Sequence, residues 1–110
     1  MASRYGYQFT KHATDDLNGI VSYLSDELES PSAAEHFFNQ LTAAIDAVRT
    51  FPEGAPLVAN EYLPRSDVRK AQVGSYLMYY LPDQQAKTIT ILRIVYAKRN
   101  LEEILRELEL

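Results

Sequence analysis

Cysteine is absent from the 110-residue sequence, which excludes disulfides, thiolate metal sites and a thiol nucleophile. Glycine is scarce, and its four positions build neither a phosphate-cradling loop nor the G-x-S-x-G elbow of a serine hydrolase. His12 and His36 stand apart without ligand spacing, so they read as solvated or capping side chains, and neither a metal site nor a cofactor is expected. Long apolar runs are also missing. Nothing approaches the roughly 18 residues that cross a bilayer, and the N-terminus MASRYGYQFT lacks the apolar stretch of a signal peptide. The expectation is a cytoplasmic protein with no membrane role, and the length suits one domain around one core.

Positive charge is short overall, with a net charge of -4 that argues against a nucleic-acid partner. Its distribution argues the other way. Residues 1–61 carry a net -6, residues 62–100 a net +5 and residues 101–110 a net -3, so a basic segment lies between acidic ends. That asymmetry suits a surface for anions or for an acidic partner.

Tyr5, Tyr7 and Phe9 alternate with polar residues and predict a first strand ending near Thr10. Leu17, Ile20, Val21, Leu24 and Leu28 share one helical face and predict a helix over residues 12–29, with Asp15 and Asp16 in its first turn to suit the helix dipole. Ser30 and Pro31 then read as N-cap and first position of a second helix, with Ala34, Phe38, Leu41, Ile45 and Val48 on its apolar stripe and Pro52 as its stop. The short link makes the two an antiparallel hairpin. An irregular, proline-rich connection over residues 52–64 leads to three strands, residues 68–73, 75–81 and 88–96, joined tightly at Gly74 and at Pro82-Asp83. Leu101, Ile104, Leu105 and Leu108 predict a last short helix with Asn100 as its N-cap. The fold class is α+β: a mainly antiparallel four-stranded sheet with a helical hairpin packed on one face, in the order β-α-α-β-β-β-α.

Chemistry, if there is any, lies in the basic segment. Arg65, Arg69, Lys70, Lys98 and Arg99 are expected near strand ends or on an exposed face. Arg93 interrupts the apolar run Ile89 to Val95, where a guanidinium costs several kcal/mol unless it is paired or open to a ligand. Either it joins a helix carboxylate in a buried ion pair, or it marks a sheet face kept open for a phosphate or an acidic partner. Tyr76, Tyr79, Tyr80 and Tyr96 on the same strands suit stacking on unpaired bases or core packing. Alternation puts Tyr76 and Tyr80 on one face and Tyr79 on the other. Asp15 and Asp16 are adjacent, hence splayed on a helix and not paired for acid–base work.

The run VRKAQVGSYLMYYLPDQQAKTITILRIVYAKRNLEEIL resembles the C-terminal half of RelE/ParE toxins, in which a V-x-x-Y-x-x-x-Y strand and an I-x-I-L-R-I strand precede a basic tip and a final helix. The N-terminal half is similar as well, with the helical pattern A-x-x-D-L-x-x-I-x-x-Y at Ala13, Asp16, Leu17, Ile20 and Tyr23, and with Phe51-Pro52 closing the second helix. The resemblance implies the toxin of a type II toxin–antitoxin pair, silenced by a cognate antitoxin. Its target is either the ribosome and its mRNA, as a metal-independent endoribonuclease, or DNA gyrase, as an inhibitor without hydrolysis. A non-toxic interaction domain of the same fold is a further alternative. For the nuclease, Arg69, Arg93, Arg99 and Tyr96 are the catalytic candidates, with Arg65, Lys70, Lys98 and Tyr76 binding RNA or a partner and Leu101 and Leu105 anchoring the antitoxin. Two positions depart from the nuclease pattern: Leu77 where an arginine is usual, and Leu105 where a tyrosine or histidine is usual.

Overall fold

The computed structural model describes residues 4–27, 30–58, 67–99 and 101–108. In chain order these form β1 (Gly6–Phe9), α1 (Lys11–Ser22), α2 (Pro31–Thr50), β2 (Arg69–Val73), β3 (Tyr76–Asp83), β4 (Thr88–Tyr96) and α3 (Leu101–Arg106). The element order is the one expected, and β4 has the predicted bounds. No helix among the described residues is long and apolar enough to cross a membrane.

The sheet runs β1-β4-β3-β2, with β2, β3 and β4 as an antiparallel meander and β1 parallel to β4. Gly74 makes the β2–β3 turn with φ of 60°, and a Cβ there would meet Gln40 Oε1 of α2 at 2.6 Å, so the turn needs glycine for conformation and for room. β1 stops at Phe9 while β4 runs on past it, which would leave part of the β4 edge unpaired. Thr10 and Asp16 take the place of a strand there. The Thr10 amide donates to Ile91 O at 3.0 Å, the Thr10 hydroxyl to Leu92 O at 3.0 Å, and the Ile94 amide to Asp16 Oδ2 at 3.0 Å. The same Thr10 oxygen accepts from Ala13 N at 3.0 Å and caps α1.

The first helix departs from expectation. It starts at Lys11, which moves Asp15 and Asp16 into its second turn, beyond the reach of the helix dipole, and from Tyr23 to Glu27 it relaxes into a π turn. α2 begins as predicted, with Ser30 Oγ accepting from Ala33 N at 3.3 Å and Pro31 in its first turn. On its buried face Phe37 replaces the expected Phe38. Either fits the helical spacing, but only Phe37 meets the sheet, where its ring stands edge-on to Tyr76 at 5.2 Å, while Phe38 is left 43% exposed.

Two cores result. Between sheet and hairpin lie Ala13, Phe37, Leu41, Ile45, Val48, Met78, Tyr80, Ile89, Ile91 and Ile94. On the opposite face Val58, Val68, Tyr79, Leu92 and Val95 pack with Ile104 and Leu105 of α3, so both faces of β4 are covered. Tyr76 and Tyr80 share the hairpin side and Tyr79 the α3 side, as strand alternation requires.

Candidate functional site

Arg93 is closed off at the join of three elements. Its side chain is 3% exposed, and its Nε and Nη2 donate to Asp16 Oδ2 and Oδ1 of α1 at 2.7 and 2.9 Å. Its Nη1 donates to Glu107 Oε2, just beyond α3. The hydrogen bond to Asp16, ahead of that to Glu107, outweighs burial and raises the Arg93 pKa above the ordinary guanidinium value. In return the Arg93 hydrogen bond holds the Glu107 carboxyl below the ordinary carboxylate value. Of the two readings of Arg93, the buried ion pair with a helix-one carboxylate is the one realised. The sheet face at this residue is not open to a ligand, because α1 and α3 close over it.

Of the other arginines, Arg99 shares Glu107 with Arg93, and Arg69 lies elsewhere. Arg69, opposite Tyr80 in the sheet, turns to the loop after α2 and donates to Glu53 O and Ala55 O at 3.1 and 2.7 Å. Arg99 follows β4 and lies 3.7 and 3.6 Å from Glu103 and Glu107. Tyr80 and Tyr76, which mark the two ends, are four residues apart on β3, roughly 13 Å along a strand. Arg93 and Arg99 therefore meet at Glu107, but Arg69 does not join them, and the three do not converge on one site. Lys70 lies on β2 opposite Tyr79, away from Arg99, and Lys98 is exposed beside Arg99, without an ion pair among the described residues. Arg65 and Asn100 fall outside the described residues, as does the side chain of Leu101. Leu105 is 2% exposed in the second core, so the antitoxin anchor expected there is already covered by the protein's own packing.

What the fold does bring together is Tyr76, Tyr96 and Arg99, in a cleft of about 320 Å³ walled on its other side by α1. Tyr76 and Tyr96 pair across β3 and β4, their rings 6.0 Å apart at 76°. From α1 and the start of the π turn come Asp15, Gly19 and Tyr23, spaced four residues apart and so aligned on one helical stripe. Burial, and then the neighbouring phenols of Tyr23 and Tyr96, push Tyr76 above the ordinary phenol value. That is the wrong direction for a proton acceptor at neutral pH. Sequence reasoning missed Tyr23 and both aspartates as site residues. Their spacing and the motif A-x-x-D-L-x-x-I-x-x-Y were the available signal. Among the described residues no group of histidine, aspartate and glutamate could hold a metal ion.

This architecture is shared with structures of toxin–antitoxin pairs. The RelBE2 toxin–antitoxin complex from Mycobacterium tuberculosis superimposes with a TM-score of 0.62 at 20% identity, covering 86% of this chain and 99% of the matched one. The chromosomal ParDE system from P. aeruginosa superimposes with a TM-score of 0.64 at 18% identity, covering 86% and 98%. No curated protein matches significantly. Residues 7–101 match the family described as the ParE toxin of the type II toxin–antitoxin system parDE, and the chain belongs to that family, within the RelE/ParE superfamily. It is a toxin of the kind neutralised by an antitoxin.

Proposed function

We propose that this toxin acts by binding, as an inhibitor of DNA gyrase, and does not cut RNA. The observation that carries the reading is the engagement of Arg93 by Asp16 and Glu107. A scissile phosphate would have to displace two carboxylates from a buried guanidinium, which costs several kcal/mol. Arg69 and Arg99 cannot close on one phosphate from opposite ends of the sheet. Tyr76 is shifted away from proton acceptance, and Leu77 and Leu105 bring no polar group. In-line attack by a 2′-hydroxyl needs both a proton acceptor and stabilisation of the phosphate charge. The match to the ParE family supports the same reading.

The test is a pair of assays on the purified toxin: supercoiling by gyrase, and translation with mRNA integrity followed in parallel. Loss of supercoiling with intact message is the expected outcome, and message cleavage with supercoiling untouched overturns the proposal. In the same reading, the cognate antitoxin lays an acidic segment across Lys98 and Arg99 and couples its folding to binding. Its apolar anchor lies away from Leu105, which is buried.

A further inference from the structure

We propose that the cleft between α1 and the paired tyrosines is an aromatic cage for a cationic side chain, by preference an arginine, presented by a protein partner. This rests on the reading of the toxin as a binding module and adds the chemistry that one of its surfaces recognises. Tyr23, Tyr76 and Tyr96 line the cleft together. Tyr23 and Tyr96 are 50% and 48% exposed, so core packing does not use up their ring faces. The face of a phenol ring is its negative side and attracts a cation within about 6 Å of the centroid, and a guanidinium, being planar, also stacks on it.

Charge decides between a cation and a phosphate. Around the cleft stand the acids Asp15, Asp16, Glu103 and Glu107 against the bases Lys11, Arg93 and Arg99. Arg93 is held by Asp16 and Glu107, and Arg99, the cation in the lining of the cleft, lies beside Glu103 and Glu107, while Lys98 stands outside that lining, so a phosphate inside the cleft meets only a cation already matched by carboxylates. A cation, by contrast, meets Asp15. The partner of Asp15 is Lys11 at 3.0 Å, with side chains 58% and 87% exposed, a solvent-screened pair that a docking guanidinium can replace. Room points the same way. About 320 Å³ lies near the lower end of ligand clefts, roughly 300–1,000 Å³, and suits one long side chain. The floor is kept open by Gly19, where a Cβ would meet nothing within 4 Å.

The proposal is tested by NMR titration of the purified toxin with N-acetyl-arginine methylamide, tetramethylammonium, uridine monophosphate and inorganic phosphate. Saturable shifts of the Tyr23, Tyr76 and Tyr96 ring signals are expected with the two cations and not with the two anions. Gly19→Leu fills the floor and Tyr23→Leu removes one wall, and each should weaken the arginine probe about tenfold, while Asp15→Asn weakens it severalfold. All three positions are exposed, so the remaining spectrum should be unchanged and report an intact fold. Shifts with uridine monophosphate alone, no shift with either cation, or arginine shifts that survive Gly19→Leu would each overturn the cage. The two readings fail separately: a toxin that binds the probe yet spares gyrase keeps the cage and loses the target, and one that inhibits gyrase without binding the probe loses the cage alone.

Discussion

Removing the Asp16 carboxylate tests the part of the structure on which the binding-only reading depends. Asp16 accepts two hydrogen bonds from Arg93 and one from the Ile94 amide. With side chains 13% and 3% exposed, the pair is screened far less than a surface pair. Asp16→Ala leaves the guanidinium with Glu107 alone and the Ile94 amide without an acceptor. Breaking a buried pair from one side costs about 3–5 kcal/mol, of which the orphaned amide accounts for about 1–3 kcal/mol. Against a typical total of about 5–15 kcal/mol, such a variant is marginal. Asp16→Asn keeps an oxygen for the Ile94 amide and should lose about half as much. Adding Arg93→Met to Asp16→Asn should recover stability, because no deeply buried charge is then stranded: Glu107 loses Arg93 but is 32% exposed and keeps Arg99 at 3.6 Å. Urea unfolding followed by circular dichroism measures all four proteins, with equal slopes required for comparison. A loss below about 1 kcal/mol for Asp16→Ala is the size of an exposed pair. It would mean that Arg93 is solvated and able to grip a phosphate, and the nuclease reading would stand again.

Ile91 is fully buried in the first core, so Ile91→Ala should cost about 2–5 kcal/mol in the same unfolding assay. A loss below about 1 kcal/mol would contradict a β4 covered on both faces. Glu107 has its pKa lowered in the fold, chiefly by the Arg93 hydrogen bond, from an ordinary value of 4.5. Its contribution is therefore full above that value and lost as pH falls through the folded one. Melting temperatures measured from neutral pH downwards should show a smaller acid loss in Glu107→Gln than in the parent. Lys98→Ala should slow association with the cognate antitoxin and flatten its salt dependence with little change in dissociation, and stopped-flow binding at two ionic strengths would show it. An association rate indifferent to salt in the parent would remove Lys98 and Arg99 from the docking surface.

The order of elements was legible because periodicity and punctuation are local: Ser30-Pro31 starts α2, and alternation sorts Tyr76 and Tyr80 from Tyr79. The partner of Arg93 was legible only as a class, a helix carboxylate. Choosing Asp16 requires knowing that β1 runs parallel to β4 and stops at Phe9, a pairing across 82 positions that no local pattern encodes. The same gap hid the cleft. Asp15 and Asp16 read as two splayed acids, and only the docked helix brings one onto the arginine and leaves the other, paired with Lys11, in the lining of the cleft. The π turn at Tyr23 was also out of reach, since the apolar spacing through Leu24 continues as if the helix were regular. Leu105 was read as a surface anchor because an amphipathic six-residue helix does not reveal which neighbour covers it.

The place of β4 between β1 and β3 also bears on when the fold can close during synthesis. Both cores draw on β4, through Ile89, Ile91 and Ile94 on one side and Leu92 and Val95 on the other. A chain still being synthesised has therefore made its hairpin and β3 before it owns the strand that joins them to β1. Contacts of such long sequence separation form late, because the loop they close must first be ordered. At a synthesis rate of about 5–20 residues per second, the interval before β4 is complete lasts seconds. Throughout it the cleft lacks Tyr96 and Arg99. The two cores and the cleft are therefore completed together, by the arrival of β4 and the residues after it.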